Sequence, residues 1–119
     1  MPHITTNTGL TFEAPANQRL ILALEDAGVD ILHRCGGNSR CTTCRVTFEA
    51  GEPDKMTVAE KTKLEAGGNM GKFRLSCQIL CDQDMTVTPL MSKATEQLDD
   101  AGPRPLDTIT PDAEWVTKA

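Results

Sequence analysis

His33-Arg34-Cys35-Gly36-Gly37-Asn38-Ser39-Arg40-Cys41-Thr42-Thr43-Cys44-Arg45-Val46 is the stretch on which the reading of this sequence turns. It places three thiols within ten residues, on a segment without a regular apolar period, and follows the first of them with a glycine pair. A fourth thiol stands in Arg74-Leu75-Ser76-Cys77-Gln78, and a fifth, Cys81, comes four residues later. The spacing is C-x5-C-x2-C-x32-C with one cysteine over. Glycine lets a backbone fold tightly around an anion so that N–H groups point at sulfur. Such bonds stabilise charge on sulfur and help to set a reduction potential, which no disulfide requires.

The rest of the composition narrows the setting. Five cysteines in 119 residues are about 4%, below the roughly 8–10% of a disulfide scaffold, and the number is odd. The start, Met1-Pro2-His3-Ile4-Thr5-Thr6-Asn7, is not a basic region followed by an apolar run, and no window reaches the roughly 18 apolar residues of a membrane span. A cytoplasmic protein without membrane insertion is expected, and in that reducing compartment clustered cysteines serve as metal ligands or redox groups. Twelve Lys and Arg against 17 Asp and Glu give a net charge of −5, which argues against a nucleic-acid surface. The length suits one domain.

Outward from the cysteines, the chain alternates between strand and helix signals. Ile4 and Thr6, then Leu10, Phe12 and Ala14, alternate around Asn7-Thr8-Gly9, which predicts a β-hairpin. Asn17 is placed to cap a helix carrying Leu20, Leu24 and Ala27 as one apolar stripe on the hairpin, with Gly28 ending it. After the cysteine loop, Val46 and Phe48 point inward on a strand stopped by Gly51-Glu52-Pro53-Asp54. Thr57-Val58-Ala59-Glu60 is a capping box for a helix that Gly67-Gly68 closes. Met85 to Thr88 alternates as a last strand before Pro89, Ser92 to Asp99 suits two helical turns, and a proline-punctuated tail comes after. Leu106, Ile109, Trp115 and Val116 make that tail too apolar for a purely solvated one, so residues 1–90 read as the domain and 91–119 as an extension, partly docked or disordered.

Four thiolates also suit tetrahedral zinc, whose sites usually come as two short-spaced pairs. Three cysteines on one loop with a distant fourth instead match the plant-type pattern of a 2Fe-2S cluster. Neither His3 nor His33 stands in the Cys-x-His pair of a Rieske centre. The loop from His33 to Val46 together with Arg74-Leu75-Ser76-Cys77-Gln78 resembles the 2Fe-2S ferredoxins of the β-grasp fold, over roughly residues 3–90. It resembles the stand-alone bacterial and cyanobacterial members in its Gly-Gly-Asn start and Thr-Thr-Cys-Arg-Val end, and the adrenodoxin-like branch in its five-residue gap. The resemblance implies an α+β fold with a mixed sheet, a packed helix and a long cluster loop. It also implies that Cys35, Cys41, Cys44 and Cys77 hold the metal of a 2Fe-2S cofactor.

The function this implies is that of a one-electron carrier, not an enzyme: a monomer that takes electrons from a ferredoxin reductase, another flavoprotein or a photosystem and gives them to an acceptor enzyme. A low potential is expected, near the plant-type reference of about −400 mV, shifted less negative by the longer loop and nearby arginines. Two other readings are a 2Fe-2S protein for redox sensing or cluster assembly, and a structural zinc-binding module. Cys81 reads as an alternative fourth ligand, a reactive thiol or a small buried apolar residue; Gln78 directly after Cys77 favours Cys77 as the ligand. Arg34, Arg40 and Arg45 read either as solvated or ion-paired side chains or as a basic rim that steers an acidic partner. The helix from Thr57 carries Glu60, Lys61, Lys63 and Glu65, a mixed face suited to solvent or to docking. His33 reads as a loop hydrogen-bonding residue or a ligand, and Trp115 as a tail anchor or a partner contact.

Overall fold

The period-2 stretches pair as strands in the computed structural model, which describes residues 2–33, 43–97, 102, 105, 107–109 and 114–117. β1 (His3–Thr6) and β2 (Thr11–Glu13) form the N-terminal hairpin, with Ile4 opposite Phe12. β3 (Arg45–Ala50), β4 (Lys55–Thr57), β5 (Arg74–Leu75), β6 (Met85–Pro89) and β7 (Trp115–Thr117) complete the strands. Five of them make one mixed sheet in the order β2-β1-β6-β3-β5, in which only β1 and β6 run parallel. Ile4, Val46, Leu75, Met85 and Val87 project from it into the core. Phe48 is only partly buried, where the β3–β6 register slips between Phe48 and Ala50. Gly51 comes next at φ +75, where a Cβ would run into the Asp84 carbonyl, so a side chain there meets both strain and backbone.

α1 (Leu20–Asp26) is the packed helix, and its surroundings differ from the expected stripe. Leu20, Ile21, Leu22, Ala23 and Leu24 are all buried, so the first five positions are enclosed all round, and the main neighbour of the helix is the 3-10 turn Ser76–Gln78. Nor does Asn17 cap it. Asn17 sits at φ +65 and gives its N–H to the Cys81 carbonyl, while Arg19 occupies the cap position without a side-chain cap bond. The first helical N–H, of Leu20, is instead satisfied by the Ile79 carbonyl at 2.8 Å, and Cys81 N–H returns a bond to Gln18 O at 2.8 Å. The segment after Cys77 thus does the capping from across the fold. Gly28 ends the helix as expected, at φ +84 just beyond the Ala27 cap.

α2 (Val58–Ala66) shows half of the capping box: Thr57 Oγ1 accepts the Glu60 N–H at 3.1 Å. The Glu60 carboxylate does not reach back to Thr57, and it is not on a solvated face. It is fully buried, accepting from Arg74 Nε at 2.8 Å, Arg74 Nη2 at 3.1 Å and Leu75 N–H at 2.9 Å. Arg74 also donates to Glu52 and to the carbonyls of Pro53 and Lys55, tying the approach to β4 onto β5. Burial pushes the Glu60 carboxyl above its usual range despite the pull of Arg74. Burial also acts to lower Arg74, but Glu60 and Glu52 together hold its guanidinium above its ordinary value.

The extension contributes structure of its own. α3 (Lys93–Glu96) is a single turn, shorter than the two turns expected, and Gln97 stands after it at φ +54. β7 pairs antiparallel with β4, Val116 opposite Met56, and Val58 N–H donates to Glu114 O at 2.8 Å. Ile109 is buried, whereas the Trp115 side chain is 43% exposed, so β7 is held by its backbone and by Val116. Leu106 lies outside the described residues.

Removing one partner of a buried ion pair leaves an uncompensated charge, at a cost of about 3–5 kcal/mol. Arg74→Met is therefore expected to lower the guanidinium-chloride unfolding free energy by about that much. The deficit should shrink as pH falls, because the stranded Glu60 carboxyl can then take up a proton. His3→Ala, which removes the exposed contacts of His3 with Glu13 at 3.4 Å and with Asp84 at 3.8 Å, is expected to change it by less than about 1 kcal/mol.

Candidate metal centre

The register of β3 on β5 decides where the described thiols go. Arg45 stands opposite Leu75 and Val46 opposite Arg74, which puts Cys44 across from Ser76, one residue before Cys77. Ser76 closes this corner with two bonds to one acceptor: its N–H (3.1 Å) and its Oγ–H (2.7 Å) both reach the Cys44 carbonyl. Cys44 and Cys77 are both buried, at 3% and 0% exposure. Cys35 and Cys41, with Arg34, Arg40 and the glycine pair, lie outside the described residues. Among the described residues no three His, Cys, Asp or Glu side chains group as a metal site.

Two side chains converge on Cys77. The first is Gln78, whose Nε2 donates to Cys77 Sγ at 3.6 Å. Its amide orientation is set by Thr57: that hydroxyl accepts from Glu60 N–H, and its own proton goes to Gln78 Oε1 at 2.6 Å, turning the NH₂ end toward sulfur. A donor on sulfur favours its charged, ligating form. The second is Arg19, fully buried at the head of α1. Its Nε and Nη2 donate to the Cys77 carbonyl at 3.0 and 2.7 Å, and its Nη1 to the Thr108 carbonyl at 3.0 Å. A charged residue beside five apolar positions is ordinarily read as facing water, and nothing local in the sequence marks Arg19 as buried.

Other singled-out residues take specific places. His33 is buried and pairs through Nε2 with Glu25 Oε1 at 3.1 Å. Arg45 lays its guanidinium over the Phe73 ring, 4.2 Å from the centroid, a packing contact within the domain. Trp115 borders a cavity of about 290 Å³ with Pro53, Lys55, Ile79, Leu80 and Asp82. Cys81 is fully buried, and its backbone is tied to Asn17 and Gln18. Burial, helped by the Asp82 charge, pushes its thiol from 9.0 to about 12, as for a cysteine buried in apolar surroundings.

A mixed five-stranded sheet, a buried helix and a thiol corner packed against that helix define a β-grasp ferredoxin fold. The sequence model of the family described as the 2Fe-2S iron-sulfur cluster binding domain matches residues 4–82, and the chain belongs to that family. It is 33% identical over 72 residues to a subunit of the Na(+)-translocating NADH-quinone reductase of Shewanella denitrificans, covering 60% of this chain and 17% of that protein. The same-named protein of Yersinia enterocolitica is 28% identical over 88 residues, covering 71% of this chain and 20% of the relative. The matches thus span a fifth or less of these relatives. Among solved structures, the ISC-like 2Fe-2S ferredoxin of Pseudomonas putida JCM 20004 superposes with a TM-score of 0.61 at 26% identity, over 74% of this chain and 91% of that one. The ferredoxin of Rhodopseudomonas palustris HaA2, with a TM-score of 0.54 at 22% identity over 76% of this chain and 96% of its own, speaks for the fold.

The cofactor is accordingly a 2Fe-2S cluster, in place of the zinc alternative, and the chain is an electron-carrying domain of ferredoxin type. The described residues fit that cofactor, since two buried thiols share a corner and one has an N–H donor on its sulfur.

Cys81, by contrast, should behave as a packed apolar residue. In the folded protein at pH 8 it should resist alkylation by iodoacetamide and react only on unfolding. Because its folded value lies above its unfolded one, the stability it contributes is complete below pH 9 and is lost as pH rises toward about 12. Cys81→Ala should flatten that alkaline fall in the unfolding midpoint.

Proposed function

We propose that this chain is a one-electron shuttle in which Cys35, Cys41, Cys44 and Cys77 hold the cluster and Cys81 does not. The observation that carries the reading is the corner where Ser76 fixes Cys44 beside Cys77 while Gln78 Nε2 addresses the Cys77 sulfur. When bound, the cluster supplies a one-electron redox couple of low potential. The chain's own residues hold and insulate it. Ser76 and the β3–β5 register set the spacing of two ligands, Gln78 stabilises negative charge on one sulfur, and the core around α1 excludes water from that side.

No catalytic group enters this reading. The donor is a reductase flavoprotein or a photosystem and the acceptor a separate enzyme. The NADH-quinone reductase subunits among the relatives support the reductase side of that choice. The loop from Gly36 to Thr43, which carries Arg40 and the proposed ligand Cys41, is the proposed electron exit, with Arg34 and Arg40 steering an acidic partner. Charge reversal at Arg40 is expected to weaken the salt dependence of electron transfer.

Serine substitution at each cysteine in turn tests the ligand set. Changing Cys35, Cys41, Cys44 or Cys77 should abolish or shift the visible absorption and lower bound iron from about two atoms per chain, while Cys81→Ser keeps both. Retention of the parent spectrum in Cys77→Ser, with its loss in Cys81→Ser, would reverse the assignment.

A further inference from the structure

Arg19 is the one described arginine with no exposed surface, and its guanidinium joins two parts of the chain that are far apart in sequence. Two arms of it clamp the carbonyl of Cys77, 58 residues away, and the third holds the carbonyl of Thr108, 89 residues away. Burying a cation is unfavourable unless its donors are satisfied, and the donors of Arg19 are spent on these two carbonyls. The fork geometry matters as well, since only a planar guanidinium presents fixed donors to two acceptors on opposite sides.

A second, independent connection runs between the same two parts. Trp115 of β7 pairs in register with Thr57 of β4, and the Thr57 hydroxyl orients the Gln78 amide that donates to Cys77 Sγ. The C-terminal extension therefore meets the Cys77 segment twice, once through Arg19 at the carbonyl and once through Thr57 and Gln78 at the sulfur.

We infer that Arg19 is a positioning residue for the redox site, locking the C-terminal extension and the Cys77 segment into one unit so that docking of the extension and the midpoint potential are coupled. The inference rests on Cys77 being a ligand. An added electron raises the negative charge behind the Cys77 sulfur, and a buried cation on the carbonyl of that residue stabilises the reduced state and raises the potential. The coupling is reciprocal: whatever loosens the extension lowers the potential, and whatever favours the reduced state tightens the extension.

The experiment compares Arg19→Met and Arg19→Lys with the parent holoprotein, reading the midpoint potential and the hydrogen exchange of backbone amides around Thr108 and in β7. Arg19→Met is expected to lower the reduction equilibrium about tenfold, which is about 59 mV for one electron, and to speed exchange in the extension. Arg19→Lys keeps the charge but cannot span both carbonyls, so its potential should fall less while exchange rises similarly; if the Met variant does not hold its cluster, the Lys variant carries both readouts. A potential within twofold of the parent in its equilibrium constant, or a lowered potential without faster exchange, overturns the coupling. Cys77→Ser run alongside separates the two failures: if it keeps the parent spectrum and potential, the ligand assignment fails, and otherwise the fault lies with Arg19 alone.

Discussion

The pair of hydrogen bonds from Ser76 to the Cys44 carbonyl is the constraint on which the site depends. Cys44 precedes β3 and Cys77 follows β5, and the short antiparallel ladder of these two strands brings them to the same end. A slip of one residue would send the side chains of β5 to the other face. Ser76 opposes such a slip with two donors on one acceptor, in a place where water cannot replace them. Gln78, Thr57 and the capped start of α2 then add a second layer that fixes how the Cys77 sulfur is addressed.

The other end of β5 carries a heavily bonded charge pair. Glu60 and Arg74 are both buried, and Arg74 spreads its donors over Glu60, Glu52 and two carbonyls. Such a pair is weak evidence of net stability, because desolvation offsets much of the attraction. It does hold α2, β4 and β5 in one arrangement, since any other would strand a charge. Buried polar groups thus do the positioning around the thiols, and apolar residues of α1 and the sheet fill the remaining volume.

Much of this was legible in the sequence, where a period or a local motif carried it. The alternation at Ile4–Thr6, Val46–Phe48 and Met85–Thr88 marked the strands, Thr57 marked the start of α2, and the cysteine spacing pointed to the cofactor class. What escaped depended on distant partners. Asn17 has the chemistry of a cap, but the chain after Cys77 satisfies the α1 amide instead. Glu60 has the spacing of a capping box, yet a buried Arg74 outcompetes the Thr57 N–H for its carboxylate. β4 and β7 are three residues each and exist because they pair with each other, so neither has a period long enough to read. Arg19 is invisible for the same reason, since its partners are backbone carbonyls supplied by the Cys77 turn and the extension.

Most direct for the central claim is an anaerobic redox titration of the holoprotein, with the electron paramagnetic resonance signal of the reduced form integrated against iron and acid-labile sulfide. The account predicts uptake of one electron per two irons and two sulfides, with one unpaired spin per chain appearing only on reduction. A colourless protein holding one zinc, or an iron protein without labile sulfide, would contradict it.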